Sequence, residues 1–317
     1  MRVLFAGTPD FAVPSLEALA ERFEIAAVLT NPDRQAGRGR KAEPSPVKLA
    51  ALRLGLRLLQ PERLDGDFRE DVRAFSPDIL VCAAFGRIFG PKFLSLFPLG
   101  GVNLHPSLLP RYRGPSPINA AILRGDAYTG ISVQRLAREM DSGDIVAQES
   151  FPLAGTERAS SLSLVLARKG AQLLVRALTE IEGGRAVYMP QNHGDATYCG
   201  LLSREDGRID WMRSSGFIER MTRAYDPWPG AWTLFRGEVL RILEAEALSG
   251  EGPGSGGEWP VPGKVLGVDT GRGILVQTQN GLLAVRALQL QSKKAMNFAS
   301  FVNGVRGFTG SVLGDGR

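Results

Sequence analysis

Apolar residues along this chain gather into short unbroken runs, and the stretches between those runs carry helical spacing. "RVLFAG" is a continuous apolar run closed by glycine, the pattern of a strand buried on both faces. "PSLEALAERF" then reads as a helix, "EIAAVLT" as a second strand, and "PSPVKLAALRLG" as a second helix stopped at Gly55. "PDILVCAAF" and "GGVNLHPS" are a third and a fourth buried strand. "SPINAAILRGD" is a short amphipathic helix with Gly125 placed to end it. "TGISVQRL" and "DIVAQESFPL" alternate as half-buried strands. The long helix "SLSLVLARKGAQLLVRALTEIEGG" lines up Leu162, Leu166, Leu173, Leu174, Ala177 and Ile181, with Ser160 or Ser161 to cap it and Gly183 to end it. Strand and helix in alternation predict an α/β domain with a mostly parallel, doubly wound sheet over residues 1–185.

The texture changes after that helix. "RAVYMPQNHGDATYCGLLSRED" has little periodicity and reads as a linker, residues 186–205, draped over the surface. The helical piece "SSGFIERMTRAY" follows, and then short strands separated by turn signals: "GAWTLFRG", "EVLRILEAEAL", "PGKVLGV", "GILVQTQNG" and "LLAVRALQL". Antiparallel strands at this spacing predict a small β-barrel over residues 206–317. "SGEGPGSGGEWP" between two of these strands reads as a flexible loop. No internal repeat is present.

Composition narrows the class. A chain of 317 residues is comfortable as two domains. With 44% hydrophobic and 22% charged residues it is globular, not disordered. Cys82 and Cys199 are too few for a disulfide framework, and Cys82, inside an apolar run, reads as a buried thiol. A reducing cytoplasm fits. "MRVLFAGTPD" is no signal peptide and no apolar span reaches 18 residues, so no membrane is expected as a partner. The net charge of +5 permits an anionic partner without requiring one. Arginine outnumbers lysine 31 to 7, which base composition explains more simply than phosphate binding does.

Several chemistries are excluded. The first strand runs into "GTPDFA", where a dinucleotide site needs G-x-G-x-x-G. The two histidines and two cysteines have no metal-ligand spacing, so no metal is expected. Neither a P-loop nor a G-x-S-x-G elbow occurs. What remains is "NLHPSLL". Asn103 and His105 are two apart, so on a strand they share one face, and Pro106 keeps the preceding residue extended. Each alone is explained as a strand-end asparagine and a satisfied histidine. Asp141, in "REMDSGDIV", is explained alone as a turn aspartate, and His193 as a surface residue. The stretch 31–48 holds five basic side chains against one acid between residues 34 and 48. It leaves the carboxyl end of a strand, where α/β sheets bind ligands, and a mobile basic loop there suits a polyanion.

Taken together, "FAGTPDFA", "NPDRQAGRGRK…PSPVK", "NLHPSLLPRYRGPSPINAAI", "MDSGDI", "RAYDPWPGAW" and "LQLQSKKAM" resemble the methionyl-tRNA formyltransferases, in order and over nearly the whole chain. The resemblance implies a Rossmann-like formyl-transfer domain followed by an OB-like barrel that binds tRNA. It implies transfer of a formyl group from 10-formyltetrahydrofolate to the α-amino group of methionine on initiator methionyl-tRNA, releasing tetrahydrofolate, for translation initiation. The "HPSLLP" segment is shared by enzymes using that folate, so an amino sugar nucleotide is the alternative acceptor. Carried over by position, the catalytic residues fall on Asn103, His105 and Asp141, and the folate segment on Ser107, Leu108, Leu109 and Pro110. The tRNA-binding loop falls on Arg38, Arg40 and Lys41, with Arg38 nearest the acceptor stem. A monomer in the cytoplasm is the expectation. Two departures from the family pattern stand out: "RQAGRGR" is poorer in lysine, and the Gly/Ser-rich insertion near Gly250 is longer than usual.

Overall fold

The computed structural model describes residues 1–36, 41–248 and 260–314. In chain order the elements are β1 (Arg2–Gly7), α1 (Val13–Ala20), β2 (Glu24–Leu29), β3 (Arg34–Ala36), β4 (Lys41–Glu43), α2 (Pro46–Arg53), β5 (Leu58–Leu59), α3 (Gly66–Ala74), β6 (Ile79–Ala83), α4 (Pro91–Leu94), β7 (Gly101–His105), α5 (Pro117–Arg124), β8 (Tyr128–Arg135), β9 (Ile145–Pro152) and α6 (Ala159–Glu182). They continue as α7 (Ser215–Ala224), β10 (Ala231–Phe235), β11 (Glu238–Leu248), β12 (Val265–Asp269), β13 (Gly273–Gln277), β14 (Leu282–Leu290), β15 (Met296–Asn297) and α8 (Phe298–Gly304). The chain divides into two compact units. One comprises residues 1–117, 128–152 and 162–200; the other comprises 118–127, 153–161 and 201–317. The division near residue 200 falls inside the expected linker, but two earlier segments join the second unit.

The first unit is built on a seven-stranded sheet in the order β5-β2-β1-β6-β7-β8-β9. The pairs from β5 to β7 are parallel; β8 runs antiparallel to β7, and β9 to β8. The mostly parallel sheet expected from the apolar runs is therefore present. Val3 to Ala6 and Ile79 to Ala83 are buried residue after residue because both sheet faces are covered. On one face Phe68, Phe85, Phe89, Phe93 and Phe97 pack on β1, β2 and β6 residues, with ring centroids 5.2 Å apart for Phe89–Phe93 and 5.6 Å for Phe93–Phe97.

Several elements differ from the reading of the pattern. α3 buries only Phe68 and Val72, too thin a stripe to show among seven polar or small neighbours, and its clearest mark is the N-cap Asp65, whose side chain accepts from the Phe68 N–H. α6 begins at Ala159, one residue before the two serines expected to cap it, so neither serine is the N-cap. The stretch from residue 34, expected to be a loop, contains the antiparallel pair β3–β4, and α2 then starts within the expected second helix, capped by the Ser45 hydroxyl accepting from the Lys48 N–H. Arg38 and Arg40 lie outside the described residues, as does the Gly/Ser-rich stretch 249–259.

The second unit is the expected small antiparallel β domain. Its strands run β10-β11-β14-β13-β12, with β15 on β14. α7 packs on β11 through Ile218, Met221 and Ala224. The unit also takes in α5, where Asn119 donates to the Ala224 carbonyl at 2.6 Å and Arg220 to the Leu123 carbonyl at 2.9 Å.

Candidate active site

β7 lies between a parallel neighbour, β6, and an antiparallel one, β8. On β7, Asn103 sits opposite Gln134, and His105 opposite Ser132. Directly opposed residues share a face, so four polar side chains point to one side at the carboxyl end of β7. Asp141 reaches the same point from the β8–β9 turn, with a left-handed backbone (φ 53°) of the kind Asp tolerates better than most residues.

Three donors surround the Asp141 carboxylate. The Gly114 N–H reaches Oδ2 at 2.9 Å, Gln134 Nε2 reaches Oδ1 at 2.7 Å, and Asn103 Nδ2 reaches Oδ1 at 3.4 Å. His105 Nδ1 stands 3.6 Å from Oδ2. His105 Nε2 lies 2.9 Å from the Tyr112 carbonyl oxygen. A carbonyl only accepts, so Nε2 carries the hydrogen and Nδ1 is the nitrogen left to Asp141. The side chains of His105 and Asp141 are only 5% and 12% exposed. Asn103 and Asp141 are half-buried, whereas His105 is buried.

The segment after His105 is held by its backbone. Ser132 Oγ donates to the Ser107 carbonyl at 2.7 Å and accepts from the Leu109 N–H at 3.2 Å. Gln148 Nε2 donates to the Leu109 carbonyl at 3.0 Å. Ser107 and Leu109 turn inward and are buried, whereas Leu108 and Pro110 are half-buried. Of the four residues expected to meet a folate, then, Leu108 and Pro110 present side-chain surface. The cysteine beside Asn103, Cys82 on β6, is inert: burial pushes its thiol up to about 12. His193 is exposed, as expected, with Nδ1 accepting from Arg113 Nη2 at 3.2 Å.

Gln134, Gly114, Arg113 and Gln191 were not evident from the sequence. Gln134 left a trace, because Ser132 and Gln134 are polar on either side of Val133 and so share one face of β8. Among the described residues no three His, Cys, Asp or Glu side chains converge to hold a metal, and no helix is long and apolar enough to cross a membrane.

A mostly parallel sheet carrying this polar cluster, followed by a small antiparallel β domain, is the architecture of a formyl transferase. The formyl transferase family model matches residues 1–178, and the model of the formyl transferase C-terminal domain matches residues 201–306. The methionyl-tRNA formyltransferase of Treponema denticola is 44% identical over 312 residues, covering 96% of this chain and 97% of the relative. That of Chloroflexus aurantiacus is 46% identical over 307 residues, with the same shares. This chain belongs to the methionyl-tRNA formyltransferase family. Among solved structures, the N-formyltransferase of Helicobacter canadensis, in complex with folinic acid and dTDP-3-aminofucose, superposes with a TM-score of 0.65 at 18% identity over 92% of this chain and 99% of its own. HypX of Aquifex aeolicus in complex with tetrahydrofolic acid gives 0.62 at 18% identity over 98% of this chain, which spans 48% of that longer one. The methionyl-tRNA formyltransferase of Clostridium thermocellum gives 0.54 at 18% identity over 79% of this chain and 95% of its own. At these identities the likeness is one of fold.

Proposed function

We propose that this enzyme moves the formyl group of 10-formyltetrahydrofolate to the α-amino group of methionine on initiator methionyl-tRNA, in the cytoplasm, and that Asn103, His105 and Asp141 carry the step. The observation behind the proposal is the approach of Asn103 Nδ2 and His105 Nδ1 to one carboxylate, at 3.4 Å and 3.6 Å, at the carboxyl end of β7. An α-amino group has a pKa of about 7.7 to 8, so a useful fraction of it is already the free base near neutral pH. The amine nitrogen attacks the formyl carbon, forming the new C–N bond and leaving charge on the formyl oxygen. Asn103 donates to that oxyanion; one such donor is worth ~2.7 to 4 kcal/mol. His105 Nε2 is committed to the Tyr112 carbonyl, so its part is played through Nδ1 beside Asp141. The Asp141–His105 pair takes the proton from the attacking nitrogen, N10 gains a proton, and the C–N10 bond breaks to release tetrahydrofolate. No covalent enzyme intermediate is required.

The folate ring lies against the surface of Leu108 and Pro110, with the backbone of Ser107 and Leu109 beneath. The tRNA acceptor stem meets the basic loop at Arg38, Arg40 and Lys41. The catalytic trio and the folate segment then lie within residues 1–185, and residues from 206 onward belong to a tRNA-binding unit that does no chemistry, in a protein that works as a monomer. The test is incubation with 10-formyltetrahydrofolate and either charged initiator tRNA or an amino sugar nucleotide. Formyl-methionine on the tRNA is the expected product. Formylation of the sugar nucleotide alone would replace this acceptor with the one suggested by the Helicobacter canadensis likeness.

A further inference from the structure

Arg113 is 2% exposed, and no ion pair to its guanidinium is present among the described residues. A buried charge without a counter-ion costs stability, so its retention calls for a reason. Its hydrogen bonds supply one. Arg113 Nε and Nη2 both reach Gln191 Oε1, at 3.1 Å and 2.7 Å, while Nη1 reaches the Tyr198 hydroxyl at 3.3 Å and Nη2 also reaches His193 Nδ1 at 3.2 Å.

A guanidinium can only donate. Gln191 must therefore turn its oxygen to Arg113, and its Nε2 is sent the other way. There it donates to the Asp141 carbonyl at 2.9 Å and the Gly143 carbonyl at 2.7 Å, and it lies 3.3 Å from Gln134 Oε1. Gln134 is oriented in the same manner. With its oxygen toward Gln191, its Nε2 faces Asp141 Oδ1 at 2.7 Å. The Asp141 and Gly143 carbonyls only accept, so Gln191 is held from both ends, its oxygen by Arg113 and its nitrogen by the turn, and a flip of either amide would set oxygen against oxygen.

We infer that Arg113 and Gln191 are positioning residues, which set the direction of a donor chain running Arg113–Gln191–Gln134 and ending on Asp141. The chain also pins the Asp141 and Gly143 carbonyls within the β8–β9 turn, so it fixes the height of Asp141 as well as the hydrogen it accepts. This inference rests on the catalytic reading of Asp141 given above.

The test is steady-state formylation, resolved into kcat and KM for both substrates, for Gln191→Glu, Arg113→Met, Arg113→Lys and Asp141→Asn, each with a thermal melt. Gln191→Glu still satisfies Arg113 but replaces the onward donor by an acceptor. Its kcat is expected to fall about 10- to 100-fold, the worth of a hydrogen bond to a charged group, with KM nearly unchanged. Arg113→Met should show the same split, and Arg113→Lys, which stays a donor, should regain most of the loss. Wild-type kcat in Gln191→Glu, or equal damage from Met and Lys at position 113, would overturn the donor chain. So would a kcat loss that vanishes on assay well below the melting temperature. An active Asp141→Asn would instead overturn the reading of Asp141 itself, whereas an inactive Asp141→Asn beside a wild-type Gln191→Glu would overturn only the chain.

Discussion

Asn103 differs from its two neighbours in the site by what it loses when bound to nothing. Its amide spends one hydrogen on Asp141 in a long 3.4 Å contact, so turning toward a substrate oxygen costs it little. Asn103→Ala is therefore expected to lower kcat about 10²-fold while tetrahydrofolate affinity, measured by fluorescence titration, is largely kept. Asp141→Asn should fold and lose most activity; wild-type rates in both variants would leave the trio without a role. The sequence shows these residues unevenly. Asn103 and His105 are visible because histidine is scarce and the two stand two apart before a proline. Asp141 is visible only beside a known pattern, since a turn aspartate is ordinary. Arg113 and Gln191 could not be paired from one sequence, because they stand 78 positions apart and each is common in exposed loops.

Turns and strands set the precision of that arrangement. Gly143 sits in the β8–β9 turn where an added Cβ would run into the Arg135 carbonyl oxygen and carbon, backbone atoms that cannot move aside cheaply. Gly143→Ala should displace the turn that carries Asp141, cutting kcat more than it lowers the melting temperature; an active variant would show that the turn has slack. A second element carries a pH signature. Burial alone would raise the Asp226 carboxyl, but donors from Arg158, 3.0 Å away, and Ser160 outweigh it and hold the group below the ordinary carboxylate range. A depressed carboxylate stabilises the fold above its unfolded pKa of about 3.9, and that share is lost as pH falls through the folded value. Asp226→Asn should therefore melt a few degrees lower near neutral pH, a small effect because solvent screens the pair, and match wild type in acid. A gap that persists in acid would mean that packing, not charge, is at work. Strong apolar runs such as β1 and β6 were legible because their burial on both faces leaves no polar interruption. α3, with two buried side chains, and the two-residue β5 were not, because tertiary contact rather than local pattern makes them.

At the scale of the whole molecule the chain does not divide where a linear reading divides it. The second unit gathers residues 118–127 and 153–161 to the stretch from 201 onward, so a fragment beginning at 201 lacks two of its three pieces. Such a fragment should give lower yield and a broader melt than the full chain, and a fragment of 1–200 should be prone to aggregate, since Ile118 and Ile122 are buried in the full chain. Size-exclusion profiles and melts of both fragments measure this; a 201–317 piece that melts as sharply and as high as the intact protein would refute it. The same interleaving imposes a timetable on birth. Asn119 closes on a carbonyl 105 residues downstream, and Leu123 waits for a side chain 97 residues downstream. A ribosome adds roughly 5 to 20 residues per second, so α5 leaves the exit tunnel roughly 5 to 20 seconds before its partners follow it out. During that interval its apolar side chains are open to any passing surface, which makes the nascent chain between α5 and α7 a client for chaperones that bind at the tunnel mouth.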